Sequence, residues 1–389
     1  MENFEYGNPT QIVFGRGRVK EIGELAIQYG KRALVVTGAK GGASDKPYFL
    51  IEQSLKEAGI EFRRFDGVRP NPTTEQVTRG ADLAREFKAD VVIGLGGGSA
   101  MDTAKAIAVE ATHPKTAWEY NCHTDGPTEM TLPIIAVGTT AGTGSQVTPC
   151  AVITKTETKD KSAIWNRNIY PKVALVDPQL TDSMPPAVTA QTGFDAFCHN
   201  FEAYLSVNTN PLAETMALEA IRLITEFLPR VVIDGNDLEA RDQMAWADTL
   251  GGLTNATAGV TLPHGLGMQI GGHCPHVTHG QALAVIYPQF TRYTRESAVK
   301  KFAVVGRIMN PDLEEKSDEE ASCGCCEAID FMLKKIGLWI SMNDLNISDE
   351  ELKEIADCGQ VLGDYANNPR VATIPEMLEI LKACRIRTE

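Results

Sequence analysis

The sequence predicts an α/β protein in which an N-terminal parallel sheet covered by helices is followed by an all-helical domain. Three observations support this prediction. Short apolar, β-branched runs alternate with amphipathic segments in the first half, the periodicity is helical from Ala187 onward, and 389 residues exceed what one hydrophobic core usually holds. We place the boundary at the proline pair Pro185-Pro186, which gives an α/β domain at residues 1–185 and an all-helical domain at residues 186–389.

Composition and charge limit the classes of partner. The chain has 37 basic and 51 acidic side chains and a formal net charge of −14, and such a surface repels nucleic acid and anionic lipid. The first residues, Met1 to Tyr6, lack the basic and apolar regions of a signal peptide, and no apolar run approaches the ~18 residues that span a bilayer. We therefore expect a cytoplasmic protein that binds neither nucleic acid nor membrane.

The nine cysteines are scattered and odd in number, which favours reduced thiols over a disulfide scaffold. The segment Cys323-Gly324-Cys325-Cys326 suggests a second metal site or a redox switch as alternatives. Its spacing does not fit paired Cys-x-x-Cys zinc ligands, however, and no histidine follows it. We interpret these residues as free thiols at the start of a helix that spans residues 326–336 and follows an acidic surface loop at residues 312–320.

The first half alternates predicted strands and helices. This order implies a parallel sheet with helices on both faces, and ligands of such sheets bind at the carboxyl ends of the strands. The predicted strands, two of which form a hairpin at residues 151–165, are residues 11–14, 33–37, 61–66, 91–95, 134–137, 151–156, 161–165 and 173–176. The predicted helices of this half are residues 17–29, 47–58, 74–88 and 100–111.

A glycine-rich turn follows the strand at residues 91–95 and leads into a helix. In Gly96-Gly97-Gly98-Ser99-Ala100-Met101-Asp102 the glycines allow backbone N–H groups to approach a phosphate, and the helix offers its positive end. The turn is not a Rossmann fingerprint, because Ser99 stands where the third glycine is expected, and it lacks the Gly-Lys-Thr end of a P-loop. It predicts an anion site, with a tight turn that binds no ligand as the alternative.

A second loop of small residues follows the strand at residues 134–137. Gly138 to Thr148 is rich in glycine, threonine and serine, and hydroxyl groups and exposed amides suit phosphate and ribose oxygens. Together the two loops could hold both ends of an extended dinucleotide, although such a loop is often only a connection. Lys161, in the predicted hairpin, could contact a phosphate or face solvent.

The second half opens with a helical pattern that carries two polar residues. Asp195 and His199 are four residues apart and would project together from the border of the buried face. Either one alone is most simply a buried polar residue with satisfied hydrogen bonds. The apolar stripe beside them consists of Phe194, Phe197, Phe201 and Leu205.

Four of the seven histidines lie between Leu262 and Gly280. Clustered imidazoles are typical ligands of zinc or ferrous iron, and a carboxylate with three imidazoles would give a closed set of four ligands. Two of the four, His273 and His276, could instead line a substrate pocket, relay a proton or cap the turn. The predicted metal ligands come from two distant segments and are Asp195, His199, His264 and His279.

Six motifs occur along essentially the whole chain in a fixed order: Asn71-Pro72-Thr73, Gly96 to Ser99 with Asp102 and Lys105, Thr139 to Thr143, Asp195-Ala196-x-x-His199, Pro263-His264-Gly265 and Thr278-His279-Gly280. In this order they resemble the iron-containing, group III alcohol dehydrogenases, whose architecture is shared with dehydroquinate synthase and glycerol dehydrogenase. The resemblance implies a first domain that binds NAD(P) and a second that holds one divalent metal, usually iron, with zinc as the alternative. The residues predicted to contact the nucleotide are Gly38, Asn71, Gly97, Gly98, Ser99, Asp102, Thr139, Thr140, Thr143, Ser145, Thr148 and Lys161.

The sequence departs from the usual family pattern at three points. Most relatives carry a histidine four residues after the counterpart of His264, near the nicotinamide, and here that residue is Met268, so no catalytic proton relay is assigned. The interval from His264 to His279 is fifteen residues rather than the commoner fourteen, which leaves His276 as the alternative last ligand. Gly38 stands where NAD-preferring relatives often have an aspartate that repels a 2′-phosphate, so we expect NADP(H) to be favoured over NAD(H).

The resemblance implies hydride transfer between NAD(P) and a small primary alcohol, diol or hydroxyaldehyde, aided by a metal that lowers the pKa of the substrate hydroxyl. On the same fold, the alternatives are a lyase like dehydroquinate synthase and an enzyme like glycerol dehydrogenase. From other classes, they are a metal-dependent hydrolase, for which no His-Glu-x-x-His motif is visible, and a non-catalytic metal- or nucleotide-binding module. Since relatives are commonly dimers or larger, we expect a homodimer or larger homo-oligomer.

Overall fold

The computed structural model describes residues 3–121 and 126–387, which form two compact units. The sheet unit comprises Gly7–Ser183. The helical unit comprises the chain from Met184 onward together with the described residues 3–6.

The first described residues pack with the helical unit, although the chain that follows them builds the sheet unit. Asn3, Phe4 and Glu5 border a groove of the helical unit together with residues 205–211 and 296–301. From Asn3 the described chain therefore passes from the helical unit through the whole sheet unit and returns to the helical unit at Met184. The helical unit is thus discontinuous in sequence.

The strands of the sheet unit are β1 (Gln11–Phe14), β2 (Arg32–Gly38), β3 (Glu61–Val68), β4 (Val91–Gly96), β5 (Ile134–Gly138), β6 (Cys150–Lys155), β7 (Asp160–Trp165) and β8 (Val173–Val176). Six of them form one fully parallel sheet in the order β1-β8-β5-β4-β2-β3. The other two, β6 and β7, pair as an antiparallel hairpin. The predicted parallel sheet is confirmed, and its strand order places β4 and β5 side by side.

Both faces of this sheet are covered by helices: α1 (Ile22–Ala26), α2 (Asp45–Glu57), α3 (Thr74–Phe87) and α4 (Gly98–Glu110). Successive residues of a strand point to opposite faces, and both sets are apolar here. Leu34 and Val36 pack in one core with α3 and α4. Ala33 and Val35 pack in the other with α1 and α2. This double burial explains why the strands are continuous apolar runs rather than alternating ones.

The helix predicted at residues 17–29 is shorter than expected. A 3₁₀ turn spans Arg18–Glu21, and α1 begins only at Ile22. Side chains from elsewhere bind two amides of this segment: Val19 N donates to Asp177 Oδ2 at 3.0 Å and Gly23 N donates to Ser54 Oγ at 3.0 Å. An amide that binds a distant side chain does not contribute to the helical ladder, so the tertiary contacts shorten the helix.

The helical unit consists of α5 (Pro186–Leu205), α6 (Pro211–Ile233), α7 (Leu238–Ala258), α8 (Leu262–His273), α9 (His279–Arg295), α10 (Val299–Met309), α11 (Asp318–Lys335), α12 (Asp349–Asp357) and α13 (Ile374–Ala383).

The aromatic residues of α5 pack together in the core of the helical unit. Phe194, Phe197 and Phe201 are fully buried, and their ring centroids lie 5.2, 6.2 and 6.3 Å from that of Tyr287 on α9. The predicted apolar stripe is confirmed. Within the described parts of the chain, no helix combines the length and apolarity needed to cross a membrane.

The prediction of a helix that begins at Cys326 is wrong, because α11 begins eight residues earlier, at Asp318. Ser317 and Glu320 form a capping box, and three acidic residues in the first turn stabilise the positive end of the helix. The acidic segment is therefore partly a helix start rather than a loop. Cys325 and Cys326 are buried inside this helix while Cys323 is exposed, and the cysteines in the described residues form no disulfide.

We expect Gly23→Ala to destabilise the sheet unit. A Cβ at residue 23 would lie 2.3 Å from the carbonyl oxygen of Ser54, a backbone atom of α2 that cannot rotate away. The resulting overpacking should lower the free energy of unfolding by roughly 1–3 kcal/mol, measured from the midpoint of urea unfolding. Gly7→Ala is the control, because a Cβ at residue 7 has nothing within 4 Å. Equal midpoints for the two variants would contradict the packing described here.

Candidate functional site

The two small-residue loops leave neighbouring strands at the same level. Gly96 of β4 is opposite Gly138 of β5 in the parallel register. Just beyond them, Thr139 N donates to Gly96 O at 2.9 Å, which joins the loops directly. We call residues 96–99 the glycine loop and residues 138–148 the threonine loop. Both lie at the carboxyl end of the sheet, where the sequence predicted the nucleotide.

The glycines of the glycine loop are required by the close approach of the threonine loop. A Cβ on Gly97 would lie 3.1 Å from Thr140 Oγ1, and a Cβ on Gly98 would lie 2.8 Å from Thr143 Cγ2. Gly97 and Gly98 therefore pack directly against Thr140 and Thr143 of the threonine loop. Thr140 Oγ1 is buried and makes no hydrogen bond with any described residue. An unused donor beside the amide-rich start of α4 fits a phosphate or ribose oxygen.

A buried lysine fixes the threonine loop. Lys105 of α4 is fully buried. Burial lowers the pKa of its ammonium group, and the nearby carboxylate of Asp102 opposes that shift. The Nζ of Lys105 donates to three carbonyl oxygens, those of Ser145 at 2.7 Å, Thr148 at 3.0 Å and Cys150 at 2.6 Å. Lys105 therefore stabilises the conformation of the threonine loop.

Asp102, predicted to contact the nucleotide, is bound within the protein. Its Oδ1 accepts from Ser145 Oγ at 2.6 Å, and its Oδ2 accepts from Val152 N at 3.1 Å. Burial raises the pKa of the Asp102 carboxyl, whereas Lys105 lowers it. In this structure, Asp102 and Ser145 thus bind each other and connect α4 to the threonine loop. Ser99 lies in the first turn of α4, and Thr148 is buried with its carbonyl oxygen bound by Lys105.

Two further predicted nucleotide residues bind one another. Lys161 of β7 is only 4% exposed, so it does not face bulk solvent. Its Nζ donates to Asn71 Oδ1 at 2.9 Å. Asn71 has a φ of 54°, a left-handed conformation that asparagine tolerates better than most residues. The contact joins the turn before α3 to the hairpin.

Gly38, the last residue of β2, has room for a Cβ atom. A Cβ there would meet only Ser44 Oγ, at 3.6 Å, and the residue does not have a positive φ. Nearby, Arg64 donates to Asp45 Oδ1 at 2.7 Å and lowers the pKa of the Asp45 carboxyl. Lys40 lies exposed in the loop that follows β2.

Three helices bring the four predicted metal ligands together. Asp195 and His199 lie one turn apart on α5, His264 is in the first turn of α8, and His279 begins α9. Ligand atoms of Asp195, His199 and His264 all lie within 4.8 Å of one another. The distances to Asp195 Oδ1 are 3.8 Å from His199 Nδ1, 3.5 Å from His264 Nε2 and 3.6 Å from His279 Nε2.

The electrostatics of this cluster fit a bound cation. Burial raises the pKa of the Asp195 carboxyl, but the imidazoles of His199, His279 and His264 outweigh it and lower the pKa to about 2. Burial lowers the pKa of His264, but Glu202 and Asp195 outweigh it and raise the pKa to about 10. Asp195 Oδ1 and His264 Nε2 are buried and make no hydrogen bond with the described residues. Buried polar atoms without such bonds, in a set of one carboxylate and three imidazoles, fit a divalent metal.

The other two histidines of the segment have different partners. His276 Nε2 binds the carbonyl oxygen of Leu345 at 2.8 Å. His273 ends α8, where its Nδ1 binds Gln269 O at 3.0 Å. Among the candidates for the last ligand, His279 rather than His276 lies beside Asp195. Met268, at the position where most relatives have a histidine, is 7% exposed.

Two acidic residues near the cluster were missed by the sequence analysis. Glu202 is completely buried and lies 2.8 Å from His264 Nδ1. Its spacing of three residues from His199 on one helix was a signal that could have identified it. Asp364 has a pKa raised to about 6, because burial and the Glu202 charge outweigh the attraction of His264. No local pattern in the sequence connects Asp364 with α5 or α8.

Comparisons with known proteins agree with this organisation. The model of the iron-containing alcohol dehydrogenase family matches residues 9–178, and that of the C-terminal domain of the Fe-containing alcohol dehydrogenase family matches residues 189–385. The NAD-dependent methanol dehydrogenase of Bacillus methanolicus is 32% identical over 378 residues, 96% of this chain and 98% of that protein. The NADPH-dependent butanol dehydrogenase of Clostridium saccharobutylicum is 31% identical over 395 residues, 98% of each. A crystal structure of 1,3-propanediol oxidoreductase has a TM-score of 0.93 and 35% identity, covering 98% of this chain and all (100%) of that one.

We expect Lys105→Met to destabilise the protein and to weaken nucleotide binding. The substitution leaves three carbonyl oxygens and the Asp102 carboxylate without their cation, and breaking such a buried arrangement costs roughly 3–5 kcal/mol. Chemical denaturation and titration with reduced nucleotide, followed by its fluorescence, measure the two effects. The control is Lys56→Met, whose side chain is 63% exposed and should cost under ~1 kcal/mol. An equal effect of both substitutions would refute the assigned role of Lys105.

Proposed function

Because this chain belongs to the iron-containing alcohol dehydrogenase family, we propose that it transfers a hydride between NAD(P) and a small primary alcohol, diol or hydroxyaldehyde. The names of its relatives support this range of substrates. They include a methanol dehydrogenase, a butanol dehydrogenase and a 1,3-propanediol oxidoreductase. The similarity to each of them covers at least 96% of this chain.

The observation that carries the proposal is the convergence of Asp195, His199 and His264, whose ligand atoms lie within 4.8 Å of one another. With His279, these residues would hold Fe²⁺, the metal of the family's name, or Zn²⁺, which accepts the same ligands. When bound, the metal lowers the pKa of the substrate hydroxyl, and the nicotinamide accepts the hydride. Asp195 supplies the negative charge of the site and the imidazoles supply neutral nitrogen ligands.

The nucleotide would be held by the glycine loop and the threonine loop. The amides at the start of α4 offer positive partial charge to a phosphate, and the unused hydroxyl of Thr140 offers a donor. Lys105 and Asp102, both on α4, keep the threonine loop in place through their hydrogen bonds with Ser145. We propose NADP(H) as the favoured nucleotide, because residue 38 bears no carboxylate and Lys40 adds a positive charge nearby.

The same proposal includes the setting of the enzyme. A formal net charge of −14 opposes binding to nucleic acid and anionic membranes, and the nine scattered cysteines suit the reducing cytoplasm. A homodimer or larger homo-oligomer is proposed, as is common among relatives. Size-exclusion chromatography with light scattering measures the assembly directly.

Removal of the metal should abolish dehydrogenase activity. We expect protein stripped with a chelator to lose turnover, because the substrate hydroxyl keeps its ordinary pKa in water, and to regain it when Fe²⁺ or Zn²⁺ is added. Absorbance of the reduced nucleotide follows turnover with a panel of small alcohols and aldehydes. Chelator-treated protein supplied with excess metal is the control. Undiminished turnover in the stripped protein would defeat the proposal, and binding of nucleotide without net reduction by any alcohol would favour a lyase.

Gly38→Asp should reverse or weaken the preference for NADP(H). A Cβ at residue 38 meets only Ser44 Oγ, at 3.6 Å, so the backbone accepts a side chain there and the main change is a negative charge. We expect kcat/KM for NADPH to fall about tenfold relative to that for NADH, a difference of about 1.4 kcal/mol. Gly38→Asn has the same shape without the charge and is the control. An equal effect of both substitutions, or no change in the ratio with aspartate, would contradict the nucleotide assignment.

A further inference from the structure

The carboxylate of Glu202 lies behind the predicted metal ligands. We propose that Glu202 is a positioning residue of the metal site, an inference that rests on the function proposed above. Glu202 would hold the imidazole of His264 so that Nε2 faces the proposed metal. Glu202 is not among the residues of the six motifs that carry the family resemblance. Its role follows from hydrogen bonds within the helical unit.

The helix α5 carries Glu202 on the same side as a predicted metal ligand. At 100° per residue, the seven residues from Asp195 to Glu202 make two turns, with a difference of only about 20°. Asp195 is 3% exposed, and Glu202 is completely buried. One helix face therefore presents a carboxylate to the predicted metal and a second carboxylate, two turns later, to a ligand of that metal.

Four donor groups lie within hydrogen-bond distance of the Glu202 carboxylate, although the hydroxyl of Tyr287 is also 3.4 Å from the carbonyl oxygen of Cys198. Its Oε1 accepts from His264 Nδ1 at 2.8 Å and from Tyr287 OH at 3.2 Å. Its Oε2 accepts from Thr261 N at 2.8 Å and from Thr261 Oγ1 at 3.2 Å. A carboxylate has about four lone-pair sites, so this group is saturated and cannot rotate without losing a bond. It also joins α5 to α9 and to the residue that precedes α8.

The bond to Glu202 decides which nitrogen of His264 is available to a metal. A carboxylate only accepts hydrogen bonds, so Nδ1 keeps its proton as the donor, and Nε2 is the nitrogen that can give its lone pair to a metal. Nε2 is buried, makes no hydrogen bond with the described residues and lies 3.5 Å from Asp195 Oδ1. A carboxylate behind a ligating imidazole fixes the ring and strengthens it as a donor to the metal.

The test compares metal binding in the wild-type protein and in Glu202→Gln. We expect the variant to bind Zn²⁺ and Co²⁺ about 10–100-fold more weakly, measured by competition with a chromophoric chelator. The d–d absorption of the Co²⁺ form should also change, because the orientation and donor strength of His264 change. The added stability that the metal gives to the folded protein should fall by about 1.4 kcal/mol for each tenfold loss of affinity.

The matched control is Glu110→Gln in the sheet unit. Glu110 is 4% exposed, and its Oε2 accepts from Ala117 N at 2.7 Å, so it also loses the charge of a buried, hydrogen-bonded carboxylate. We expect Glu110→Gln to lower stability equally with and without metal and to leave metal affinity unchanged. A Glu202 with only a structural role would behave in the same way.

The outcomes separate this inference from the proposed function. Wild-type affinity and an unaltered Co²⁺ spectrum in folded Glu202→Gln would overturn the positioning role while the dehydrogenase proposal stands. If Glu202→Gln does not fold, Glu202→Asp provides the same comparison, since it keeps the charge but shortens the reach to His264. Failure of the wild-type protein to bind Zn²⁺ or Co²⁺ would instead defeat the proposed function itself.

Discussion

The cluster of predicted metal ligands in the helical unit is arranged around one buried negative charge. Asp195 is 3% exposed, and the ring nitrogens of three histidines lie 3.5 to 3.8 Å from its Oδ1. Removing a carboxylate from water is strongly unfavourable unless a nearby positive charge compensates for it. The arrangement is therefore most favourable with a cation among these groups. Because the ligands come from α5, α8 and α9, that cation would also join α5 to two helices that follow it by more than fifty residues in the sequence.

In the sheet unit, the buried positive charge of Lys105 orders a loop that is proposed to bind the nucleotide. Lys105 binds the carbonyl groups of three residues between Ser145 and Cys150, so that the threonine loop keeps one shape. Gly97 and Gly98 then allow this loop to approach the start of α4. Binding is favoured when its groups are ordered in advance, since less conformational entropy is lost on association. In both units, a buried charge lies among or directly behind the groups proposed to bind a ligand.

The predictable features were those that depend on residues close together in the sequence. The strands and their parallel order follow from continuous apolar runs separated by helices, and the pairing of Asp195 with His199 follows from helical spacing. One feature with distant partners, the grouping of Asp195 and His199 with His264 and His279, was expected from the histidine cluster and the family resemblance. Other features that depend on distant partners were not accessible. Residues 17–29 form a shorter helix than predicted because Ser54 and Asp177 bind their amides. The role of Glu202 depends on Thr261 and Tyr287, which lie 59 and 85 residues away. The early start of α11 was an exception, since the capping box at Ser317 was visible in the sequence.

The discontinuous helical unit bears on how such proteins recombine. The first described residues pack beside residues 205–211 and 296–301, and the chain returns to them only after the sheet unit is complete. During synthesis, this N-terminal segment emerges long before its packing partners exist. Consider a chimera of two homologues that changes from one parent to the other at Met184. Its amino-terminal segment would come from one parent, and the helices that pack against this segment would come from the other. Two crossover points, rather than one, are needed to transfer the helical unit intact.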